Sequence, residues 1–209
     1  MAQARGAGRD PRARRTPTAA KHVRNEVVSD VRTDDMGPWL SPEDLAFVRR
    51  KVPTVYVDVV PVRLDVDGSL QRVGLLLRTP RDGTLLRTVV AGRVLLHESI
   101  RSAIARHVER DLGPMALPRI PASPQPYTVN EYFPTQSVAG QTGYHDPRQH
   151  AVSLAYIVPI DGDAAAQSDS LQLTWFTPAE ALDPAVQAEM VSGHGALVTS
   201  AIAHLGRLP

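Results

Sequence analysis

The stretch GRVLLHESIRSAIARHVERDLGP, residues 92–114, decides how this chain is read. Ile100, Ile104, Val108 and Leu112 recur every four residues, so they share one face of a helix, and Gly113-Pro114 ends it. At about 100° per residue, Arg106, His107, Arg110 and Asp111 fall in one sector of roughly 140° beside that apolar face. Ser99 and Ala103 share the sector and, being small, are expected to leave room above the helix. His107 and Asp111 stand four apart and are therefore surface neighbours. A helix entered from Gly92 and charged along one flank is the candidate for chemistry. The plain alternative is a solvated polar face.

Upstream of Gly92 the period is two. Strand formers run from Val55 to Leu64, turn at Asp67-Gly68 into Leu70 to Arg78, and turn again at Asp82-Gly83 into Thr84 to Val90. Asp-Gly between alternating apolar runs marks tight hairpins. Before them, Ser41-Pro42-Glu43-Asp44 opens a helix with an N-cap, a proline at the first position and acids in the first turn, and Pro53 closes it. Downstream, strands are expected at Tyr127–Phe133, Ala151–Ile160 and Leu171–Phe176. Thr177-Pro178 opens a helix, and a last one is expected from about Gly195 to Leu205. This order predicts an α+β chain, an α/β/α sandwich around a mixed sheet.

Composition narrows the function classes. The absence of cysteine excludes disulfides, thiolate metal sites and cysteine nucleophiles. No apolar run approaches the roughly 18 residues of a membrane helix, and the Arg-rich start lacks the apolar core of a secretory signal. A cytoplasmic protein with no membrane partner is the expectation. The net charge of +1 is unevenly spread: residues 1–24 hold six Arg and Lys21 against Asp10, a sum of +6, which leaves −5 for residues 25–209. With no basic stripe on the body of the chain, nucleic acid is expected as a partner only through the tail, if at all. Residues 1–35, with scattered Pro, Gly, Thr and Arg and almost no periodic apolar content, are read as a disordered basic extension. Residues 36–209 are read as the folded domain.

The spacing within residues 92–114 resembles the Nudix box, GX5EX7REUXEEXGU with U aliphatic. Gly92 stands at the first glycine, Glu98 at the first glutamate, Arg106 at the arginine, Val108 at the aliphatic position and Gly113 at the second glycine. Leu173-Thr174-Trp175-Phe176, followed by Thr177-Pro178-Ala179-Glu180, is similar to a segment common near the C-terminus of Nudix hydrolases. Trp39-Leu40-Ser41-Pro42 resembles the opening of a divergent bacterial branch with no assigned substrate. The resemblance covers roughly residues 53–205. It implies a Nudix-type sandwich that cleaves a nucleoside diphosphate linked to another moiety. It also implies a divalent cation, Mg²⁺ or Mn²⁺, that bridges the diphosphate and positions the attacking water.

The chain departs from the box in the acidic positions. His107 replaces the glutamate after the arginine, Arg110 and Asp111 replace the paired glutamates, and Pro114 replaces the last aliphatic. Two readings follow. In the catalytic one, Glu98 and Asp111 ligate or organise the cation, Arg106 braces the loop–helix turn and His107 or Glu109 assists a water. In the binding one, Arg110 and Arg106 grip phosphate, and the domain holds a phosphorylated ligand as a sensor or partner-binding module. His145-Asp146-Pro147-Arg148, just before the long apolar strand, adds His145 and Arg148 as candidates for substrate contact. The plainer reading there is a turn leading into a strand. A phosphorylated small molecule is the expected partner, and a homodimer is left open.

Overall fold

The computed structural model describes residues 39–79, 83–138 and 143–206. The basic extension expected over residues 1–35 lies outside the described residues. The chain first enters α1 (Pro42–Lys51), where Ser41 Oγ accepts a hydrogen bond from the Asp44 amide as the sequence predicts. β1 (Thr54–Leu64) and β2 (Leu70–Arg78) then form an antiparallel pair about the Asp67-Gly68 turn.

The expected third strand divides in two. β3 (Leu86–Thr88) stays on β2, whereas β4 (Val90–Arg93) crosses to β1 and pairs Val59 with Val90 and Tyr56 with Arg93. The box helix follows as α2 (Ile100–Leu112), capped by Ser99 Oγ on the Ser102 amide and ended by Gly113 at φ +84°, a left-handed backbone that favours glycine. β5 (Thr128–Phe133), the two-residue β6 (Tyr144–His145), β7 (Ala151–Pro159) and β8 (Ser170–Phe176) complete the sheet. Three helices close the chain: α3 (Pro178–Ala181), α4 (Pro184–Ala188) and α5 (His194–His204).

β1 is the centre of the mixed sheet. It runs antiparallel to β2 and β4, and parallel to β7 from the pair Thr54–Ala151 to the pair Val62–Pro159. Its side chains alternate between two apolar layers. Val57 and Val59 pack with Ala103, Ile104, Val108 and Leu112 of α2. Val60 and Val62 pack with Leu197, Val198, Ala201 and Ile202 of α5. The two helices therefore cover opposite faces, which is the predicted α/β/α sandwich. By the same alternation Asp58 lies on the α5 side, away from the box helix. Among the described residues no helix is long and apolar enough to cross a membrane.

Candidate active site

The charged flank of α2 is turned into the fold. Ala103, His107 and Asp111, each four residues from the next, are as buried as the neighbouring stripe of Ile104, Val108 and Leu112. Where small residues were expected to leave room above the helix, β4 comes down onto it. A Cβ on Gly92 would land inside the His107 ring, so glycine is what lets the strand approach. His107 Nε2 lies 3.0 Å from the Arg93 carbonyl oxygen. A carbonyl only accepts, so Nε2 carries the proton. Nδ1 is buried without a hydrogen-bond partner among the described residues. Burial, aided by the neighbouring Arg110 and Arg106 guanidiniums, pushes the imidazole down to about 4, so it is neutral at pH 7.

Both box carboxylates are held by arginine. Arg106 donates from Nε and Nη2 to Glu98, each at 2.7 Å, and also from Nη2 to the Arg93 carbonyl at 3.0 Å. The Leu95 amide donates to the same carboxylate at 3.0 Å. The Arg106 hydrogen bonds hold Glu98 below the usual carboxylate range. These bonds tie Arg106 to both sides of the turn from β4 to α2. Asp111 is completely buried and lies between two guanidiniums. Arg110 donates to it from Nε at 2.6 Å and from Nη2 at 2.8 Å, and Arg78 Nη2 stands 2.7 Å away. Arg110 Nη2 also donates to the Ala91 carbonyl at 2.9 Å, and its charge is reinforced by Asp111.

Glu98 and Asp111 therefore belong to separate ion pairs, and Arg110 is committed to Asp111. Hard cations need several free anionic oxygens. Among the described residues no three His, Asp or Glu side chains gather as such a site. The residues at the box positions do not fit a divalent cation.

A cavity of about 870 Å³ opens on the sheet beside the box, lined from α1, from β1 to β7 and from the start of α5. His145 and Arg148 line it, as do Arg49 and Arg78. Glu98, Arg106, His107, Arg110 and Asp111 are not among the lining residues. Arg148 is pre-set for its position: it donates to Asp146 from Nε at 2.8 Å and from Nη2 at 2.9 Å. Burial raises the Asp146 carboxyl, but the Arg148 hydrogen bonds outweigh it and hold the group low. Arg49 donates to Gln149 at 2.8 Å, and the Tyr56 hydroxyl lies 3.2 Å from the same amide oxygen. Arg78 joins the two regions, since it lines the cavity while pairing with Asp111 and, at 3.1 Å, with Asp169.

Sequence reasoning passed over the cavity floor. Asp58 is 3% exposed, with the Tyr132 hydroxyl 3.4 Å from Oδ2. Burial pushes its carboxyl up to about 6, and the Ser153 and Tyr132 hydroxyls offset only part of the effect. His194, at the start of α5, accepts the Val89 amide at Nδ1 and is driven down to about 4 by burial, with the Arg78 charge adding to it. One signal was available: an aspartate inside the strand run Val55–Val60.

Together, a sandwich with α2 on one face, α5 on the other and a Gly92–Gly113 box define a Nudix fold. A family model described as Domain of unknown function (DUF4916) matches residues 35–207. The chain belongs to that family, and its fold is that of the Nudix proteins. No curated protein matches it. A structure from Jonesia denitrificans, described as a possible asymmetric diadenosine tetraphosphate (Ap4A) hydrolase, is 55% identical. The match covers 76% of this chain and 98% of that one, with a TM-score of 0.73. Two more distant structures share the fold. A NUDIX hydrolase from Nitrosomonas europaea is 18% identical over 73% of this chain and 90% of its own, with a TM-score of 0.53. The NUDIX domain of Shewanella oneidensis NrtR, complexed with ADP ribose, is 16% identical over 79% and 94%, also with a TM-score of 0.53.

Proposed function

We propose that the protein hydrolyses a nucleoside diphosphate linked to another moiety, with the phosphates held at the mouth of the cavity. The observation that carries this reading is the convergence of Arg49, Arg78, Arg148 and His145 on one hollow of a Nudix fold. Guanidiniums bind phosphate oxygens through paired N–H groups, and a guanidinium already fixed by Asp146 gives up little freedom on doing so. The box residues act from behind. Asp111 holds Arg78 at the cavity edge, the Glu98–Arg106 pair fixes the turn that follows β4, and His107 seats β4 on the helix. These are positioning residues and not ligand contacts.

The test is a nucleotide-release assay on nucleoside diphosphate derivatives. Diadenosine tetraphosphate heads the panel because of the description of the Jonesia relative. Mg²⁺, Mn²⁺ and a chelator are compared throughout. Turnover is expected, with Arg148→Ala raising KM by about 10-fold or more, the usual scale for losing a charge-assisted hydrogen bond. The rival reading is a ligand-binding domain without turnover. Absence of turnover across the panel, together with nucleotide-dependent thermal stabilisation that needs Arg148, would establish that reading and overturn the first.

A further inference from the structure

The cavity changes character with depth. At its mouth the Arg148 side chain is 71% exposed. At its floor Asp58 and Ser153 are 3% and 1% exposed. Asp58 stands on β1 and Ser153 on the parallel neighbour β7, where Ser153 pairs with Tyr56. Leu86, Val89 and Val191 add apolar lining.

The floor and wall also hold polar atoms with nothing to bond. Thr88 Oγ1 and Arg78 Nε are buried without a hydrogen-bond partner among the described residues, and both residues line this cavity, while the Ser153 hydroxyl is turned to the Asp58 carboxyl. Protein interiors satisfy nearly all such groups. Two such groups beside the hollow suit an occupant that reaches below the arginines at the mouth. A bare phosphate held among the arginines at the mouth does not answer the Asp58 carboxyl, because an anion beside a carboxylate is repelled. What suits the floor is an uncharged end with hydrogen-bond donors.

We infer that Asp58 and Ser153 are specificity-determining residues that read the nucleoside end of the ligand, taking hydrogen bonds from its base or ribose while the phosphates remain at Arg49 and Arg148. The inference rests on the phosphate reading of the cavity proposed above. Tyr132, held against Asp58, keeps the carboxyl in place. A ligand that spans mouth and floor is selected for carrying both a phosphate and a donor-bearing group.

Calorimetric titration at pH 8 of the full chain with inorganic pyrophosphate, ADP and inosine diphosphate tests this. ADP is expected to bind the unaltered protein more tightly than pyrophosphate. Asp58→Asn should lower ADP affinity at least about 10-fold and leave pyrophosphate within about twofold, since only the nucleoside loses a charge-assisted bond. Ser153→Ala, a gentler change, should weaken ADP alone by a few-fold, and Arg148→Ala should weaken both probes. Inosine diphosphate lacks the exocyclic amine. If it binds weakly, the donor is that amine; if it binds as ADP does, the donor is a ribose hydroxyl or the N1–H that hypoxanthine carries. Equal loss of ADP and pyrophosphate in Asp58→Asn, or no loss of either, overturns the inference and leaves the phosphate reading standing. ADP binding that needs Asp58 but ignores Arg148 overturns the phosphate reading, and with it the mouth-to-floor span of the ligand, leaving only a contact at Asp58. Binding of neither probe by the unaltered protein overturns both.

Discussion

Replacing Asp58 with asparagine should reshape the pH dependence of stability in a calculable way. The carboxyl titrates near 6 in the folded chain, against 3.8 for an unburied aspartate. Between those values the native state keeps a proton that the unfolded chain has released. Asp58 is therefore least costly to folding below 3.8, and its penalty builds as pH rises through 6. A shift of about two units corresponds to about 3 kcal/mol in full, of which about 2 kcal/mol separates pH 4.5 from pH 8. Asparagine does not titrate. The stability of Asp58→Asn relative to the unaltered protein should thus improve by about 2 kcal/mol between pH 4.5 and pH 8. His107 and His194 act in the opposite sense, because both are kept neutral and lose stability as pH falls from 6.5 towards 4. Both chains retain them, so they cancel in the difference. Urea denaturation followed by tryptophan fluorescence at pH 4.5, 5.5, 6.5 and 8 measures it. A difference that is flat with pH, or that slopes the other way as an ion-paired carboxylate would give, refutes the assignment of Asp58 as a buried acid.

Gly92→Ala should cost about 1–3 kcal/mol by driving a methyl into the His107 ring, and His107→Ala in the same chain should recover part of the loss. Strictly additive costs in the urea midpoints of that double-mutant cycle would mean the ring does not fill the space beneath Gly92. Asp111→Asn should destabilise by about 3–5 kcal/mol, because Arg78 and Arg110 are left without their shared buried counter-ion. A melting temperature unchanged or raised by that substitution would show that the carboxylate does not serve the two guanidiniums.

The parts of this fold that are written locally were legible. The four-residue recurrence of Ile100, Ile104, Val108 and Leu112 placed α2, and Asp67-Gly68 placed the first hairpin. The split between β3 and β4 was not, because it depends on which neighbour each half pairs with, and nothing in Thr84–Val90 encodes β1. The site shows the same boundary. The charges on α2 could be counted, but their partners Arg78, Ala91 and Arg93 come from strands, and only the folded chain reveals that Asp111 is a counter-ion. Asp58 was visible as a charge in an apolar run. Its raised pKa comes first from burial, and the Ser153 and Tyr132 hydroxyls that partly offset it come from strands brought in by non-local pairings.

The parallel alignment of β1 with β7 has a consequence for how the molecule comes into being. Everything between Leu64 and Ala151 must be looped out for those two strands to meet, which carries the entropic cost of a long closure. The pocket base is assembled at that same seam. Because β1 and β7 meet at the pocket base, anything bound there would hold the two strands together and favour the folded chain.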